Sequence, residues 1–266
     1  MTYITLSYWD LALAASLILI NAGLSLRFHL GMEKSLVIAA VRTVVQLFLI
    51  GLVLKALFQM SSPLWTALAA TVMIVAAGRE VMSRQERRFT GVWSYGLGTS
   101  AMLMAGAVVT VFALTSVIKP DPWYAPRYAL PLLGMILGNV MTGIALGLNT
   151  LTHAAWRERA MIEARLALGH TRAQAFETVR RDALKTGMMP IINSMAVAGV
   201  VSLPGMMTGQ ILAGAEPVEA VKYQILIMFL IAGGVGLGAF IAVMGGSLRL
   251  SDARHRLRLD RLKGRD

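Results

Sequence analysis

The stretch Leu36-Val37-Ile38-Ala39-Ala40-Val41-Arg42-Thr43-Val44-Val45-Gln46-Leu47-Phe48-Leu49-Ile50-Gly51-Leu52-Val53-Leu54 decides the fold. It carries a single charge, and as a helix rising about 1.5 Å per residue it covers the roughly 30 Å of a bilayer's hydrocarbon core. A backbone at that depth must satisfy its own hydrogen bonds, so an apolar run of this length reads as a spanning helix. Six further runs resemble it, at 9–26, 63–78, 95–118, 128–149, 188–214 and 223–245. The run at 63–78 is the short one, about 24 Å as a helix, with Trp65 and a snorkelling Arg79 to make up the difference. The composition agrees. Of 266 residues 56% are hydrophobic and 15% charged, with 25 Gly and 17 Met, against about 25% charged in an ordinary soluble domain. The expectation is an all-α polytopic membrane protein with about seven transmembrane helices. The whole chain, 1–266, is read as one transmembrane domain, within which 151–187 is a cytoplasmic loop and 247–266 a basic cytoplasmic tail.

The charges orient the chain. With seven spans, twenty of the 25 Lys and Arg fall in the alternate segments on one side and four (Lys55, Lys119, Arg127 and Lys222) on the other. Positive segments stay inside, so the N-terminus is expected outside and the C-terminus in the cytoplasm. The net charge of +11 is thereby read as contact with an anionic inner leaflet, not with nucleic acid. No P-loop, zinc spacing or RNA-binding aromatic motif accompanies it. The Arg-rich segment 249–265 reads as a topology anchor. No cleavable leader is expected, because the segment before Leu11 has no basic residue and ends in Asp10.

The membrane interior offers little chemistry. There are no cysteines, and His29, His153, His170 and His255 all lie in loops or the tail. The acidic residues also avoid membrane depth, with Asp10 at an interfacial end. A membrane protease or metal enzyme needs a base or ligand at depth, and a proton-coupled transporter usually keeps a carboxylate there. GxxxxGK[ST] is missing, so no ATP site and no cofactor of its own are expected.

Polar features do enter three spans. Arg42 and Gln46 are one turn apart in the second, and an arginine there must face protein or water. The fifth carries Asn139, Thr142 and Asn149 beside the pairs Gly134/Gly138 and Gly143/Gly147, which suit close helix packing. The sixth contains Ser202-Leu203-Pro204-Gly205-Met206-Met207-Thr208-Gly209-Gln210. Its Pro-Gly pair frees backbone groups, a break that persists at depth only when buried or water-lined and that recurs around transporter sites. Met206 and Met207 add thioethers, which favour soft metals, although most of the methionines are expected to fill gaps. Glu216 and Glu219 lie just beyond, on the outer side.

Between the fifth and sixth spans Met161, Ala164 and Leu168 form one apolar stripe and Phe176, Val179 and Ala183 another. Gly169 is placed to end the first helix, and Thr171-Arg172-Ala173-Gln174 reads as a capping box opening the second. A helical hairpin on the cytoplasmic side follows.

Here Glu163-Ala164-Arg165-Leu166-Ala167-Leu168-Gly169 resembles the EAA loop of ABC-transporter permeases, with Arg165 in place of the third small residue. A longer stretch, Gly199-Val200-Val201-Ser202-Leu203-Pro204-Gly205-Met206-Met207-Thr208-Gly209 continuing through Glu216-Pro217-Val218 and Lys222-Tyr223-Gln224-Ile225, resembles the hallmark of the iron-export ABC permease family, which includes the plant aluminium-sensitivity permeases. The resemblance runs through Arg42, Gln46, Gly138 and Asn139 and covers essentially the whole chain. It implies a seven-span permease in the bacterial inner membrane, forming a homodimer and driven by a separate cytosolic ATPase subunit that holds ATP and Mg. It further implies export of iron, or of a nucleotide sugar as for a plant relative, with the metal ligands unassigned. On this reading Glu163, Ala164, Leu168, Gly169 and Phe176 couple the chain to its ATPase. Arg42, Gln46, Asn139, Ser202, Pro204, Gly205, Met206 and Met207 mark the translocation pathway. A stand-alone channel or secondary transporter is the alternative.

Overall fold

The computed structural model describes residues 7–60, 62–252 and 254–263, and these form an almost wholly helical chain. Ten α-helices follow in order among the described residues: α1 Tyr8–Arg27, α2 Glu33–Met60, α3 Pro63–Ser83, α4 Trp93–Phe112, α5 Pro126–Arg157, α6 Arg159–Ala167, α7 Arg172–Ala175, α8 Glu177–Val197, α9 Gly205–Leu212 and α10 Pro217–Arg249. A π-helical turn, Ala113–Ile118, extends α4. Six of these helices are long and apolar enough to cross a membrane: α1, α2, α3, α4 with its extension, α5 and α10. The chain is an all-α polytopic membrane protein. Its third span is longer than the hydropathy implied, because α3 continues through Arg79 and Glu80 to Ser83, giving 21 residues or about 31 Å.

The sixth expected span is not one helix. Its first half belongs to α8, which begins at Glu177 in the polar loop and runs to Val197. The hairpin's second arm and the sixth span's first half are therefore a single helix. Beyond a break at 198–204 the chain resumes as α9. Nothing at 184–188 interrupts the ladder, whereas Gly199, Pro204 and Gly205 do.

Chain contacts divide the protein into two compact units, residues 1–61 with 212–214, and 62–211 with 215–266. In the first, α1 opens with a capping box in which Ser7 Oγ accepts the Asp10 N–H at 3.4 Å and Asp10 Oδ2 accepts the Ser7 N–H at 2.7 Å. The α1–α2 turn is tied by Ser25, whose hydroxyl accepts the Met32 N–H and donates to Glu33 Oε2, both at 3.0 Å.

In the second unit α3, α5 and α10 each begin on a proline, where the missing N–H costs no helical bond. The core runs along α5, packed by α3, α4, α8 and α10. Small residues set the closest approaches. A Cβ on Gly187 of α8 would stand 2.7 Å from the Gly143 carbonyl oxygen of α5, and one on Gly143 would stand 2.7 Å from Val235 Cγ1 of α10. Gly147 likewise lies against Val243 and Ala183. Of the two expected glycine pairs, Gly143/Gly147 is thus a helix crossing. Gly134 meets only the Met73 methyl, and Gly138 has open space.

The basic tail is folded back. Residues Leu262–Lys263 pair antiparallel with Arg88–Phe89 of the α3–α4 loop, and Arg261 Nη1 donates to the Arg249 carbonyl at 2.8 Å. Asp252 gathers the chain between them, accepting the Arg254 and Arg256 N–H groups at 3.0 and 2.9 Å.

Candidate functional site

Two places in the second unit carry expected functional residues. The first is the hairpin of α6, α7 and the start of α8. Ile162, Phe176, Val179 and Ala183 are all at most 1% exposed and, with Met161 and Leu166, bind the hairpin to the bundle. Arg165 Nη1 donates to Thr178 Oγ1 at 3.3 Å, joining the two arms. Arg180 reaches the Ala173 carbonyl with one nitrogen and Met244 Sδ of α10 with another, the latter at 3.6 Å. The capping box forms as expected, with Gln174 N–H donating to Thr171 Oγ1 and Thr171 N–H to Gln174 Oε1. Gly169 has φ +88°, the left-handed turn that a side chain would strain.

What the hairpin leaves outside is the EAA-like tip: Glu163, Ala164 and Gly169 are exposed, and Leu168 is 79% exposed. The stripe Met161, Ala164, Leu168 does not face inward as a set. Over nine residues, the inward face of α6 is instead Met161, Ile162 and Leu166. Phe176 is buried, at 1% exposure, in the core that holds the hairpin.

The second place is the helix break. Gly199, at φ +82°, donates its N–H to the Ser202 carbonyl at 2.9 Å, and the Val200, Val201 and Ser202 N–H groups turn back to the Val197 carbonyl. The turn exposes Val200 and Val201, and α9 restarts with Thr208 bonding the Pro204 carbonyl through both its N–H and its hydroxyl. Beside the break lies a cavity of about 400 Å³, lined by Met195, Ala198, Gly199, Pro204, Met207, Val221, Gln224, Ile225, Met228 and Phe229. Gln224 is 8% exposed, and its Oε1 is buried without a hydrogen-bond partner.

Within the second unit the expected pathway residues separate. Pro204 and Met207 line this cavity, whereas Met206, one position away, packs against the core. Ser202 and Gly205 are exposed at the turn. Asn139 is exposed on α5, where its Nδ2 donates to Met135 O of its own helix at 2.9 Å. Arg42 and Gln46 lie on the exposed surface of α2, in the first unit. Sequence reasoning passed over Met195 and Met228, and gave Gln224, part of the family-like stretch, no role of its own. Gln224 had a visible signal, an amide seven residues into a long apolar helix. Asn149 proves structural: its Oδ1 accepts the Glu86 N–H at 3.1 Å and its Nδ2 donates to the Arg84 carbonyl at 2.9 Å, fastening the α3–α4 loop. Among the described residues, no group of three or more His, Cys, Asp or Glu is arranged to hold a metal.

A chain that crosses the membrane repeatedly and opens a helix break onto a cavity has the make-up of a polytopic membrane permease. It belongs to the Uncharacterised protein family (UPF0014), whose model matches residues 8–250. It is 39% identical to a UPF0014 membrane protein of Synechocystis over 76% of this chain and 77% of that one. It is 31% identical to the Probable iron export permease protein FetB of Escherichia coli, over 96% of both. To the protein ALUMINUM SENSITIVE 3 of Arabidopsis thaliana it is 32% identical, over 84% of this chain and 79% of the relative. No solved structure matches it.

Proposed function

We propose that this chain is the membrane subunit of an ATP-driven ABC exporter of metal ions, energised by a separate cytosolic subunit that holds ATP and Mg. The observation that carries the reading is the hairpin. One face is buried to 1% or less at Ile162, Phe176 and Val179, while Glu163, Ala164, Leu168 and Gly169 stand outside on a rigid turn. A clamped base with an exposed tip is what a mechanical coupling requires, since a push on the tip reaches α8 through packed side chains. In α8 that push runs along one helix to the break at Gly199, where α9 and the cavity begin. Metal export is favoured by the name of the Escherichia coli relative. In this proposal the chain works as a homodimer in the inner membrane with its N-terminus outside, as the positive-inside bias supports.

The test is to purify the chain from its native membrane with bound partners, identify an ATP-binding subunit, and measure hydrolysis by the assembled complex. Gly169→Val is expected to leave the chain inserted and the complex associated weakly or not at all, with transport-coupled hydrolysis lost. Hydrolysis equal to wild type would overturn the docking role.

A further inference from the structure

We infer that a crevice between α3, α4 and α5 is a binding site for one acyl chain of a membrane phospholipid. The crevice lies wholly within the second unit and shares no residue with the helix break or the hairpin. The inference goes beyond the export reading and holds whatever the chain transports.

The crevice has a volume of about 330 Å³. Its walls are α3 from Pro63 to Ile74, α4 and its π-helical extension from Ala107 to Leu114, Trp123 and Tyr124 of the following loop, and α5 from Ala129 to Leu133. On one side of it the three helices meet tightly. A Cβ on Gly98 of α4 would stand 2.9 Å from Val81 Cγ1 of α3, and one on Gly106 would stand 2.6 Å from Leu137 Cδ2 of α5. Towards the loop, Ala67, Ala70, Ala107 and Ala129 border the space, and no larger side chain closes it. The inner wall at Ile74, Leu114, Leu130 and Leu133 is buried, whereas Ala67 and Val111 on the rim are exposed, so the crevice opens sideways between α3 and α4. Leu114 belongs to the π-helical turn, a departure from the regular ladder that is frequent at functional sites.

The walls choose the occupant. No polar atom opens onto the space: the Thr66 hydroxyl is spent on the Ser62 carbonyl at 2.9 Å, and that of Thr110 is itself buried. Water needs polar partners, so an apolar space of this kind stays dry. Leaving it empty forfeits contacts along every wall. Hydrocarbon is what a membrane supplies at a sideways opening. The length agrees, since Pro63 and Ile74 are eleven residues apart on α3, about 16 Å, or one leaflet of a hydrocarbon core roughly 30 Å thick. At the loop end Trp123 and Tyr124 meet edge to face with ring centroids 5.9 Å apart, and such residues sit at the headgroup level. The acyl chain therefore enters beside them and ends near Ile74 and Leu133. Filling a void drives this binding, not transfer from water, because the bilayer is as apolar as the wall. The site thus selects the chain and not the headgroup.

The experiment uses the full chain in nanodiscs whose phospholipid carries a photoreactive diazirine, either at the methyl end of its acyl chain or next to the glycerol, with adducts mapped by mass spectrometry. The methyl-end probe is expected to mark Ile74 and Leu133, and the glycerol-end probe Trp123 and Tyr124. Met104 and Val108, exposed on α4, should be marked whether or not the crevice is filled. Ala70→Leu combined with Ala107→Leu grows two side chains into the space. It should abolish the adducts on Ile74 and Leu133, keep those on Met104 and Val108, and leave the unfolding temperature no lower than wild type. Should that variant not fold, the depth pattern in the wild-type chain decides alone. Ile74 and Leu133 left unmarked while Met104 and Val108 are marked would mean that protein closes the crevice, and would overturn the site. Equal marking of the wall by both probes, or unchanged marking in the filled variant, would do the same. Marking of Ile74 and Leu133 by a water-soluble diazirine would overturn it too, by making the crevice a solvent groove.

Discussion

Helices α2 and α5 are both apolar enough to span a bilayer, yet over their most apolar segments α5 buries 56% of its residues and α2 none. Hydropathy says that a helix leaves water; it does not say what the helix meets, because lipid tails are as apolar as Leu. The small residues carry that second message. In α5, Gly143 and Gly147 admit α8 and α10 to backbone distance, whereas a Cβ on Gly51 of α2 would find nothing within 4 Å. The comparison can be broken directly. Gly187→Val forces a side chain against the Gly143 carbonyl, 2.7 Å from where its Cβ would lie, and should lower stability by about 3 kcal/mol. Gly51→Val makes the same chemical addition and should stay within about 0.5 kcal/mol of wild type. Thermal unfolding of both in one detergent decides it: equal losses would mean that α2 is as closely packed as α5.

The same contrast holds between polar residues of a single helix. Asn149 closes the α3–α4 loop through two backbone groups, while Asn139 bonds its own helix and stands exposed. Asn149→Ala removes both hydrogen bonds to the loop, whose freed groups reach water, and should cost about 1 kcal/mol. Asn139→Ala should cost almost nothing in stability, whatever it does to transport. A stability loss at Asn139 matching that at Asn149 would show that the exposed face of α5 is occupied in the working assembly.

Much of this was legible in the residues. Spans at 36–54, 128–149 and 223–245 announced themselves by length, the break by Pro204 and Gly205, and the hairpin by the Thr171–Gln174 capping box. What hid was continuity. Charges at Glu177, Arg180, Arg181, Asp182 and Lys185 read as a loop, yet Phe176, Val179, Ala183, Gly187 and Ile191 recur at helical spacing on the opposite side and are buried together. A boundary drawn from charge cut α8 in two where its packed face runs on. The cavity was illegible for another reason. Whether Gln224 is satisfied depends on what α8 and α9 bring opposite it, which one-dimensional spacing does not contain. It also yields a smaller test. Gln224→Leu removes an unpaired amide from an apolar wall and should raise stability by about 1 kcal/mol. A fall instead would mean that the amide already has a partner in the membrane.

The weakest expected effect lies in the folded tail, which neither hydropathy nor packing of small residues describes. Its order depends on carboxylates: the N–H of Arg256, before other contacts, draws the Asp252 carboxyl below its usual range, and the Arg258 guanidinium holds Asp260 at about 2. Folded values below the unfolded value of about 3.9 mean that these contacts stabilise the tail fully above that pH and are lost as pH falls through the folded values. The tail should therefore be indifferent between about pH 5 and 8 and loosen only below about pH 4, Asp260 last, towards pH 2. Both groups are near solvent, so the gain is small and screened by salt. Hydrogen exchange at Arg254 and Arg256, corrected for the intrinsic pH dependence of amide exchange, should show constant protection across the neutral range, and Asp252→Ala, which removes the accepting oxygen, should abolish it there. Protection that disappears already near pH 6 would show that Asp252 is not what holds the tail. The hairpin, where the Arg172 N–H donates to His255 Nδ1 at 3.2 Å, would then be the contact left to keep it in place.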